Sequence, residues 1–338
     1  MSASRWSVAA DDRTGAFEVA ALIALVLGDG PVLVTVGQPA PESGVVDLAS
    51  RGLEAADARL IAASIEAPNG WAGHKMDSTL RGNWAVEARA RRQAGNRRVV
   101  VLPGWPDLGR TCVRGVVRLF DEQVGDMRQH MPEASFVPHA AGLAAWVRTG
   151  GGLAVCDVPD TETMYAMAAT LADVDPAELL VVGPAGPLAA VFAAHVGRPM
   201  MPSASRPEVG ERVLVVCGSA NRTSRRQIER LRMSRPDVEV LAVPALADEA
   251  ELSPWPAREL AERARLRLGE LQSSALVIIG GDTAAAVLGD APRRVGGMMG
   301  PGMPWSLDEH GGGPLVITKA GGFGGLNALI DLFGAQTV

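Results

Sequence analysis

Short apolar runs alternate with longer amphipathic stretches along most of the chain. Runs such as Trp6–Ala10, 31–37 and 275–281 have the length and the valine and isoleucine content of buried strands, and stretches with helical spacing follow them. Regular alternation of strand and helix is typical of a parallel sheet with helices on both faces. The pattern therefore predicts an α/β protein.

One segment interrupts this alternation. Residues 201–212, MPSASRPEVGER, are rich in proline, serine and charge, as linkers often are. Because 338 residues are enough for two domains, we predict an N-terminal domain over 1–200, a linker over 201–212 and a C-terminal domain over 213–338. Each is expected to hold a mainly parallel sheet flanked by helices.

A glycine-rich stretch, GGMMGPGMPWSLDEHGGG, covers residues 296–313 of the second predicted domain. It is too long for a simple connection, and loops of this length often act as lids or contact ligands. We therefore predict a long loop here. The strand that follows it, PLVIT, is expected to lead through a glycine turn into a last helix.

The densest polar run is KMDSTLRGN, residues 75–83. It lies between a short predicted strand and a predicted helix, so free backbone N–H groups can receive an anion there. Lys75 and Arg81 add positive charge, and Asp77 beside them would stay ionised and could orient or deprotonate a hydroxyl. A capped turn with a surface salt bridge explains the same residues equally well.

A second polar turn follows the first predicted strand, where Asp11 and Asp12 precede an apolar helix. Ligands of open α/β sheets bind at the carboxyl ends of the strands. Asp12 is therefore a candidate metal ligand, hydroxyl ligand or general base. Alternatively, it caps the helix.

These motifs resemble those of one family. KMDSTLRGN is similar to the K-x-DSTLRGN signature of the four-carbon acid sugar kinases, and residues 11–16, DDRTGA, are similar to their DD-x-TGA run. Residues 47–51 resemble a D-x-x-SR stretch, and residues 109–111 a G-R-T turn. The resemblance covers nearly the whole chain but weakens over 119–138, where the family's acidic residue followed by proline has no counterpart.

The resemblance implies an enzyme that uses ATP to phosphorylate a hydroxyl of a four-carbon sugar acid, of the threonate, erythronate or 3-oxo-tetronate class. Its active site would lie in the cleft between the two domains. Asp12 or Asp77 would be the catalytic base, and the residues leave that choice open. The implied substrate-binding residues are Asp11, Arg51, Lys75, Ser78, Arg81, Asn83 and Arg110.

Three strands of the second predicted domain each run into a small-residue turn, and two of these turns precede helices that could receive a phosphate. Their order is similar to that of the family's nucleotide-binding domain, although KAGGFG, residues 319–324, stands where the family commonly has K-S-G-N-F-G. The implied nucleotide ligands are Ser219, Gly280, Gly281, Asp282, Thr283, Lys319, Gly321 and Gly322. Mg²⁺ would arrive with ATP, and its protein ligands stay unassigned.

Composition excludes several other classes of protein. With 32 basic against 38 acidic side chains and no basic block, the chain lacks the charge pattern of a nucleic-acid binder. No apolar run reaches membrane-spanning length, no signal peptide is evident, and the three cysteines are typical of a reducing cytoplasm. We expect a cytoplasmic protein whose partner is a small molecule. Because apolar α/β domains often pair, a homodimer is also an expectation.

Two alternative functions follow from the same residues. A sugar-acid and nucleotide sensor that has lost phosphoryl transfer would explain the changed turn at 319–324 and the divergent 119–138. A dehydrogenase of similar layout is disfavoured because the chain has no G-x-G-x-x-G, and a P-loop kinase because it has no G-x-x-x-x-G-K-[ST].

Overall fold

The computed structural model describes residues 5–40, 42–65, 70–201, 206–243, 255–271 and 274–334. The chain divides into a first unit, residues 1–29 with 34–201, and a second unit, residues 30–33 with 202–338. Within the predicted linker, residues 202–205 lie outside the described residues. The predicted roles of the two units, and the predicted cleft, stay predictions.

The first unit contains a parallel sheet in which β1, β4, β11 and β5 are central. Its strands follow the order β2-β3-β1-β4-β11-β5-β10-β9, and every neighbouring pair is parallel. They are β1 (Trp6–Ala10), β2 (Val32–Val36, whose residues 34–36 belong to this unit), β3 (Gly44–Asp47), β4 (Trp71–Lys75), β5 (Arg98–Val101), β9 (Ser135–Val137), β10 (Leu153–Cys156) and β11 (Leu179–Gly183).

Three further strands form a small antiparallel sheet in the order β6-β7-β8: β6 (Arg110–Val113), β7 (Val116–Leu119) and β8 (Glu122–Asp126). Strands β8 and β9 lie within 119–138, the region in which the resemblance to the family weakens. Helices of the first unit are α1 (Arg13–Leu27), α2 (Ala55–Ser64), α3 (Trp84–Gly95), α4 (Met127–His130), α5 (Ala140–Thr149), α6 (Thr161–Ala172) and α7 (Ala185–Val196).

The second unit has a mixed sheet in the order β13-β12-β14-β17-β16-β15. The first four strands are parallel, and β16 is antiparallel to both of its neighbours. Its elements are β12 (Val213–Cys217), α8 (Arg222–Ser234), β13 (Glu239–Ala242), α9 (Trp255–Leu271), β14 (Ala275–Ile279), α10 (Gly281–Leu288), β15 (Arg293–Gly300), β16 (Met303–Asp308) and β17 (Leu315–Lys319).

The predicted long loop at 296–313 is wrong. Most of this stretch belongs to the hairpin of β15 and β16, with a tight turn between Gly300 and Met303. Inward-facing Val295 and Met299 alternate with less buried residues along β15, so the stretch has the period-2 pattern of a strand. Glycine obscures that pattern because it adds no side chain to the alternation.

The predicted last helix is also wrong within the described residues. After β17 the chain forms turns and only a short 3₁₀ helix, Ile330–Phe333. Glycines at 321, 322, 324 and 325 disfavour a helix here, because each one costs about 1 kcal/mol relative to alanine.

The predicted fold class is confirmed: the structure is an α/β fold with mainly parallel sheets flanked by helices. No helix in the described part of the chain combines the length and the apolarity that a membrane crossing requires.

The parallel register of the first sheet brings three strand ends level with one another. Ala10 pairs with Asp47 on one side and with Lys75 on the other. Arg13, the first residue of α1, donates from Nε to Asp47 Oδ2 at 2.7 Å, and both side chains are buried. This ion pair ties the start of α1 to the end of β3.

Breaking the Arg13–Asp47 pair tests this link. Arg13→Met should lower the free energy of unfolding by about 3–5 kcal/mol, because it leaves a buried carboxylate without its counter-ion. The matched control is Arg198→Met, which removes an exposed pair with Asp29 and should cost about 0–1 kcal/mol. Urea unfolding measures both, and equal effects of the two substitutions would contradict a structural role for the buried pair.

Candidate functional site

The sequence motifs of the first unit converge on Arg51, which lies just after β3. Its Nε and Nη2 each donate to Asp11 at 2.8 Å, and its Nη1 lies 2.9 Å from Asp12 Oδ2. Nη2 also lies 3.4 Å from Asp77 Oδ1. One guanidinium therefore joins the turns that follow β1, β3 and β4.

Arg51 was predicted to bind the substrate, and the structure shows most of its donors already directed at carboxylates. Asp11 is fully buried. Burial raises the pKa of Asp11, and the hydrogen bonds and charge of Arg51 partly offset that rise. The contact of Arg51 with the substrate stays a prediction, while its contact with the three aspartates is observed.

Asp12 caps α1. Its Oδ1 accepts the Gly15 N–H at 2.9 Å and its Oδ2 accepts the Thr14 hydroxyl at 2.6 Å. A side chain at residue 15 would not fit, since its Cβ would lie 2.6 Å from Asp12 Oδ1 and 3.2 Å from Lys75 Nζ. The helix-cap interpretation of Asp12 is thus observed, and its role as a base stays a prediction.

Asp77 accepts several hydrogen bonds within the signature turn, residues 75–83. Its carboxylate accepts the N–H and hydroxyl of Thr79, and Arg81 donates to it from Nε and Nη2 at 3.2 and 3.1 Å. Burial opposes ionisation of Asp77, but the hydrogen bond from Arg81 and the charges of Arg51 and Arg81 outweigh it and lower the pKa of Asp77 well below its usual range. A base with so low a pKa is weak.

Apolar side chains hold the same turn against the protein. Met76, Leu80 and Trp84 are buried in one cluster, and the Trp84 indole N–H donates to the Leu80 carbonyl at 3.3 Å. Leu80 has a φ of 63°, a strained conformation for a branched side chain. Ser78 is also buried in this turn.

Asn83 stands at the first position before α3, yet its side chain makes no capping hydrogen bond. Instead its Nδ2 donates to the carbonyls of Ser50 and Leu53 at 3.0 and 2.8 Å. Asn83 of the signature motif therefore hydrogen-bonds to the backbone on both sides of Arg51. Both amide hydrogens of Asn83 are used in this way, and its contact with a substrate stays a prediction.

Lys75 and Arg110 bring positive charge to a buried acid that the sequence analysis missed. Lys75 Nζ donates to the Met76 carbonyl at 2.9 Å and lies 3.8 Å from Glu18 Oε2. Burial lowers the pKa of the Arg110 guanidinium, and the charges of Glu18 and Asp77 oppose this. A lone acid in the apolar run FEVAALIALVL was the signal for Glu18.

A second missed network supports the turn that carries Arg51. The Ser50 hydroxyl donates to Glu87 Oε1 at 2.5 Å, and His74 Nε2 lies 3.1 Å from Glu87 Oε2. All three side chains are fully buried. His74 and Glu87 lie inside a strand and a helix, so the contacts of Glu87 with His74 and Ser50 depend on packing that sequence spacing does not reveal.

The predicted nucleotide ligands of the second unit lie in three turns that meet at the carboxyl ends of β12, β14 and β17. A Cβ at Gly218 would lie 2.1 Å from Thr283 Oγ1, and a Cβ at Gly321 would lie 2.7 Å from Ser219 Oγ. Gly280 has a φ of 109°, which other residues rarely adopt. The contacts bring together Ser219, Gly280, Thr283 and Gly321, with Gly281, Asp282 and Gly322 adjacent in sequence.

Lys319 is fully buried at the end of β17. Its Nζ donates to the carbonyls of Ala320 and Gly321 at 3.2 Å. Burial lowers the pKa of Lys319 to about 8, with a small opposing effect of Cys217. The amine therefore titrates close to neutral pH.

The chain is similar to known proteins in sequence and in fold. The family model of a sugar-binding N-terminal domain matches residues 6–148. The chain is 28% identical to the D-threonate kinase of Cupriavidus necator, and the match covers 98% of each chain. These similarities support the resemblance to the four-carbon acid sugar kinase family.

Solved structures share the fold of this chain. Haemophilus influenzae protein HI1011, of family DUF1537, has a TM-score of 0.67 at 19% identity, covering 97% of this chain and 99% of its own. A Salmonella typhimurium LT2 protein described as a candidate tRNA synthase has a TM-score of 0.73 at 19% identity, covering 98% and 99%. At such low identity these likenesses concern the fold alone.

The first unit also has an apolar cavity of about 590 Å³. Its walls come largely from α6 and α7, with Trp105, Met164 and Tyr165 among its larger side chains. None of the predicted site residues lines it. A polyhydroxylated acid fits the charged strand ends better than this cavity, because its hydroxyls and carboxylate need hydrogen-bonding partners.

The lowered pKa of Asp77 predicts how stability changes in acid. Ionised Asp77 stabilises the fold above its unfolded pKa of 3.8, and this contribution is lost as the pH falls through the lower folded pKa. Asp77→Asn should therefore lose less stability than the wild type between about pH 5 and pH 2. Urea unfolding of both, with the exposed Asp121→Asn as control, measures this. Parallel curves for wild type and Asp77→Asn would contradict it.

Proposed function

We propose that this protein uses ATP to phosphorylate a hydroxyl of a four-carbon sugar acid of the threonate, erythronate or 3-oxo-tetronate class. The observation that carries the proposal is the convergence of the motif residues on Arg51 at the carboxyl ends of three parallel strands. The similarity to a D-threonate kinase supports it. No observation favours a sensor that has lost phosphoryl transfer.

The charged strand ends suit a sugar acid because they offer donors and acceptors in one place. Lys75 and Arg110 supply positive charge for the carboxylate, and Ser78 and Arg81 add donors for hydroxyls. Phosphoryl transfer requires mainly the positioning of the partners and the neutralisation of charge. The first unit would thus hold the acid and present one hydroxyl for attack.

The attacking hydroxyl must lose its proton to a base. Asp12 and Asp77 are the proposed acceptors, and the contacts favour Asp12. Asp77 is held ionised by five donors from Thr79 and Arg81, which makes it a weak base. Asp12 accepts fewer hydrogen bonds, from one N–H and one hydroxyl, and pairs with Arg51 Nη1 at 2.9 Å. A substrate hydroxyl could replace that of Thr14.

The three turns of the second unit fit the phosphates of ATP. Small residues leave the backbone open, and α8 and α10 direct their N-termini toward Ser219 and Gly280. Lys319 would add positive charge when protonated. Mg²⁺ bound to the phosphates would neutralise part of their charge. In the described part of the chain no group of three acidic, histidine or cysteine side chains forms a separate metal site.

Turnover with a panel of acids tests the proposal. ADP release should be observed with ATP, Mg²⁺ and at least one of the two threonates, two erythronates or their 3-oxo forms. Glycerate serves as a shorter control. Asp12→Asn should lower kcat by about 10²–10⁴-fold if Asp12 is the base, whereas the exposed Asp121→Asn should leave it unchanged. Normal turnover in both Asp12→Asn and Asp77→Asn would refute the mechanism.

The pKa of Lys319 predicts how ATP binding depends on pH. Because this pKa is about 8, the amine loses its proton above pH 8, and the affinity for ATP should fall between about pH 7 and pH 9.5. Lys319→Met should bind ATP weakly throughout and lack this dependence, while Lys319→Arg should bind independently of pH. Calorimetric titration measures all three. An unchanged pH profile in Lys319→Met would exclude the contact.

A further inference from the structure

Glu18 is a buried acid in an otherwise apolar helix. After Arg13 at the start of α1, it is the one charged residue of that helix. Its side chain is 8% exposed. Burying a carboxylate is costly unless charges and hydrogen bonds compensate for the lost water. Helix packing alone therefore does not explain a glutamate at this position.

The surroundings of Glu18 supply charge but few hydrogen bonds. Oε2 lies 3.8 Å from Lys75 Nζ, which is too long for a hydrogen bond. Oε1 is buried and accepts no hydrogen bond from the described residues. The charges that face it are Lys75 at the end of β4, Arg110 at the start of β6, Asp12 at the cap of α1 and Asp77 in the signature turn.

The other three carboxylates of the site are held more strongly. Asp11 accepts two hydrogen bonds from Arg51, and Asp12 accepts from a backbone N–H and a hydroxyl. Asp77 accepts from Thr79 and Arg81. Hydrogen bonds to an ionised acid favour its charged form. Glu18 thus has the least stabilised negative charge of the four.

Counted as formal charges, the side chains of the site balance before any substrate enters. Four cations face four carboxylates: Arg51, Lys75, Arg81 and Arg110 against Asp11, Asp12, Glu18 and Asp77. A sugar acid adds one negative charge to this partly buried cluster. Neutrality is restored when one carboxylate takes up a proton, and the least stabilised carboxylate does so most readily.

We propose that Glu18 sets the affinity of this site for sugar-acid anions by taking up a proton when the acid binds beside Lys75 and Arg110. The proposal rests on the proposed function of the site. Burial raises the pKa of Glu18, the charges of Lys75 and Arg110 oppose this rise, and Asp12 and Asp77 add to it. The proton moves from solvent to a Glu18 oxygen, and no other bond changes.

The test is calorimetric binding of the acid panel, without ATP, in buffers of different ionisation enthalpy. The wild type should take up a proton on binding, and its affinity should fall by up to about tenfold per pH unit as the pH rises. Glu18→Gln, which has nearly the same shape, should bind without proton uptake, independently of pH, and more tightly at high pH. The exposed Glu162→Gln should behave as the wild type.

Proton uptake that persists in Glu18→Gln, or is absent from the wild type, would overturn the proposal. If the acids bind but ATP is not consumed, the proposed function fails while proton uptake still decides the role of Glu18. If no acid binds, ¹³C NMR titration of the Glu18 carboxyl, assigned by its absence from Glu18→Gln, decides it. A pKa at or below the ordinary glutamate value would refute the role, and a raised pKa would support it.

Discussion

The ion pairs of Arg51 are the interaction on which the first unit's site depends. Asp11 and Asp12 are neighbours in sequence, and Asp77 arrives from the next strand, so three like charges meet in a partly buried place. Their repulsion would separate the turns after β1 and β4 unless a counter-ion lay between them. Arg51 is planar and has five donors, and it reaches all three carboxylates. A lysine at this position would offer one ammonium group in place of a planar guanidinium with donors on three nitrogens.

The position of Arg51 depends on the contacts that the other residues of its turn make. The turn is strained, because Ala49 has a φ of 50°. The Asp47 carboxylate accepts the Ala49 N–H, and the Ser50 and Arg51 N–H groups both donate to the Asp11 carbonyl. Glu87 then holds the Ser50 side chain from α3. Two buried acids, Asp47 and Glu87, thus fix a backbone conformation that an isolated turn would not keep.

Sequence reasoning could predict which strand ends meet, but it could not predict the contacts that depend on side-chain packing. Parallel strands place their carboxyl ends at one edge, so the motifs after β1, β3 and β4 could be expected to meet. Residues outside the motifs that add charge to the site could not be found in the same way. Glu18 looks like one polar residue of an apolar helix, and its partner Lys75 is 57 positions away. The hairpin of β15 and β16 was missed because glycine replaces side chains that would show alternation.

The predicted ligand sites of the two units are held by different kinds of contact. In the first unit, charged side chains hold one another, so each replaced residue changes the charge of the site. In the second unit, backbone groups form the turn at 319–324, and side chains of α8 donate hydrogen bonds to its carbonyls. Ser224 donates to the Gly321 carbonyl, and Gln227 donates to the carbonyls of Phe323, Gly324 and Gly325.

This difference explains why the departure from the family's K-S-G-N-F-G pattern is compatible with a formed turn. Ala320 and Gly322 replace a serine and an asparagine, yet the contacts that shape the turn come from Ser224 and Gln227 of α8, not from those two positions. A backbone turn held by a neighbouring helix keeps its conformation when its own side chains become smaller. A turn held by its own charges, such as the one at Asp77, has no such tolerance.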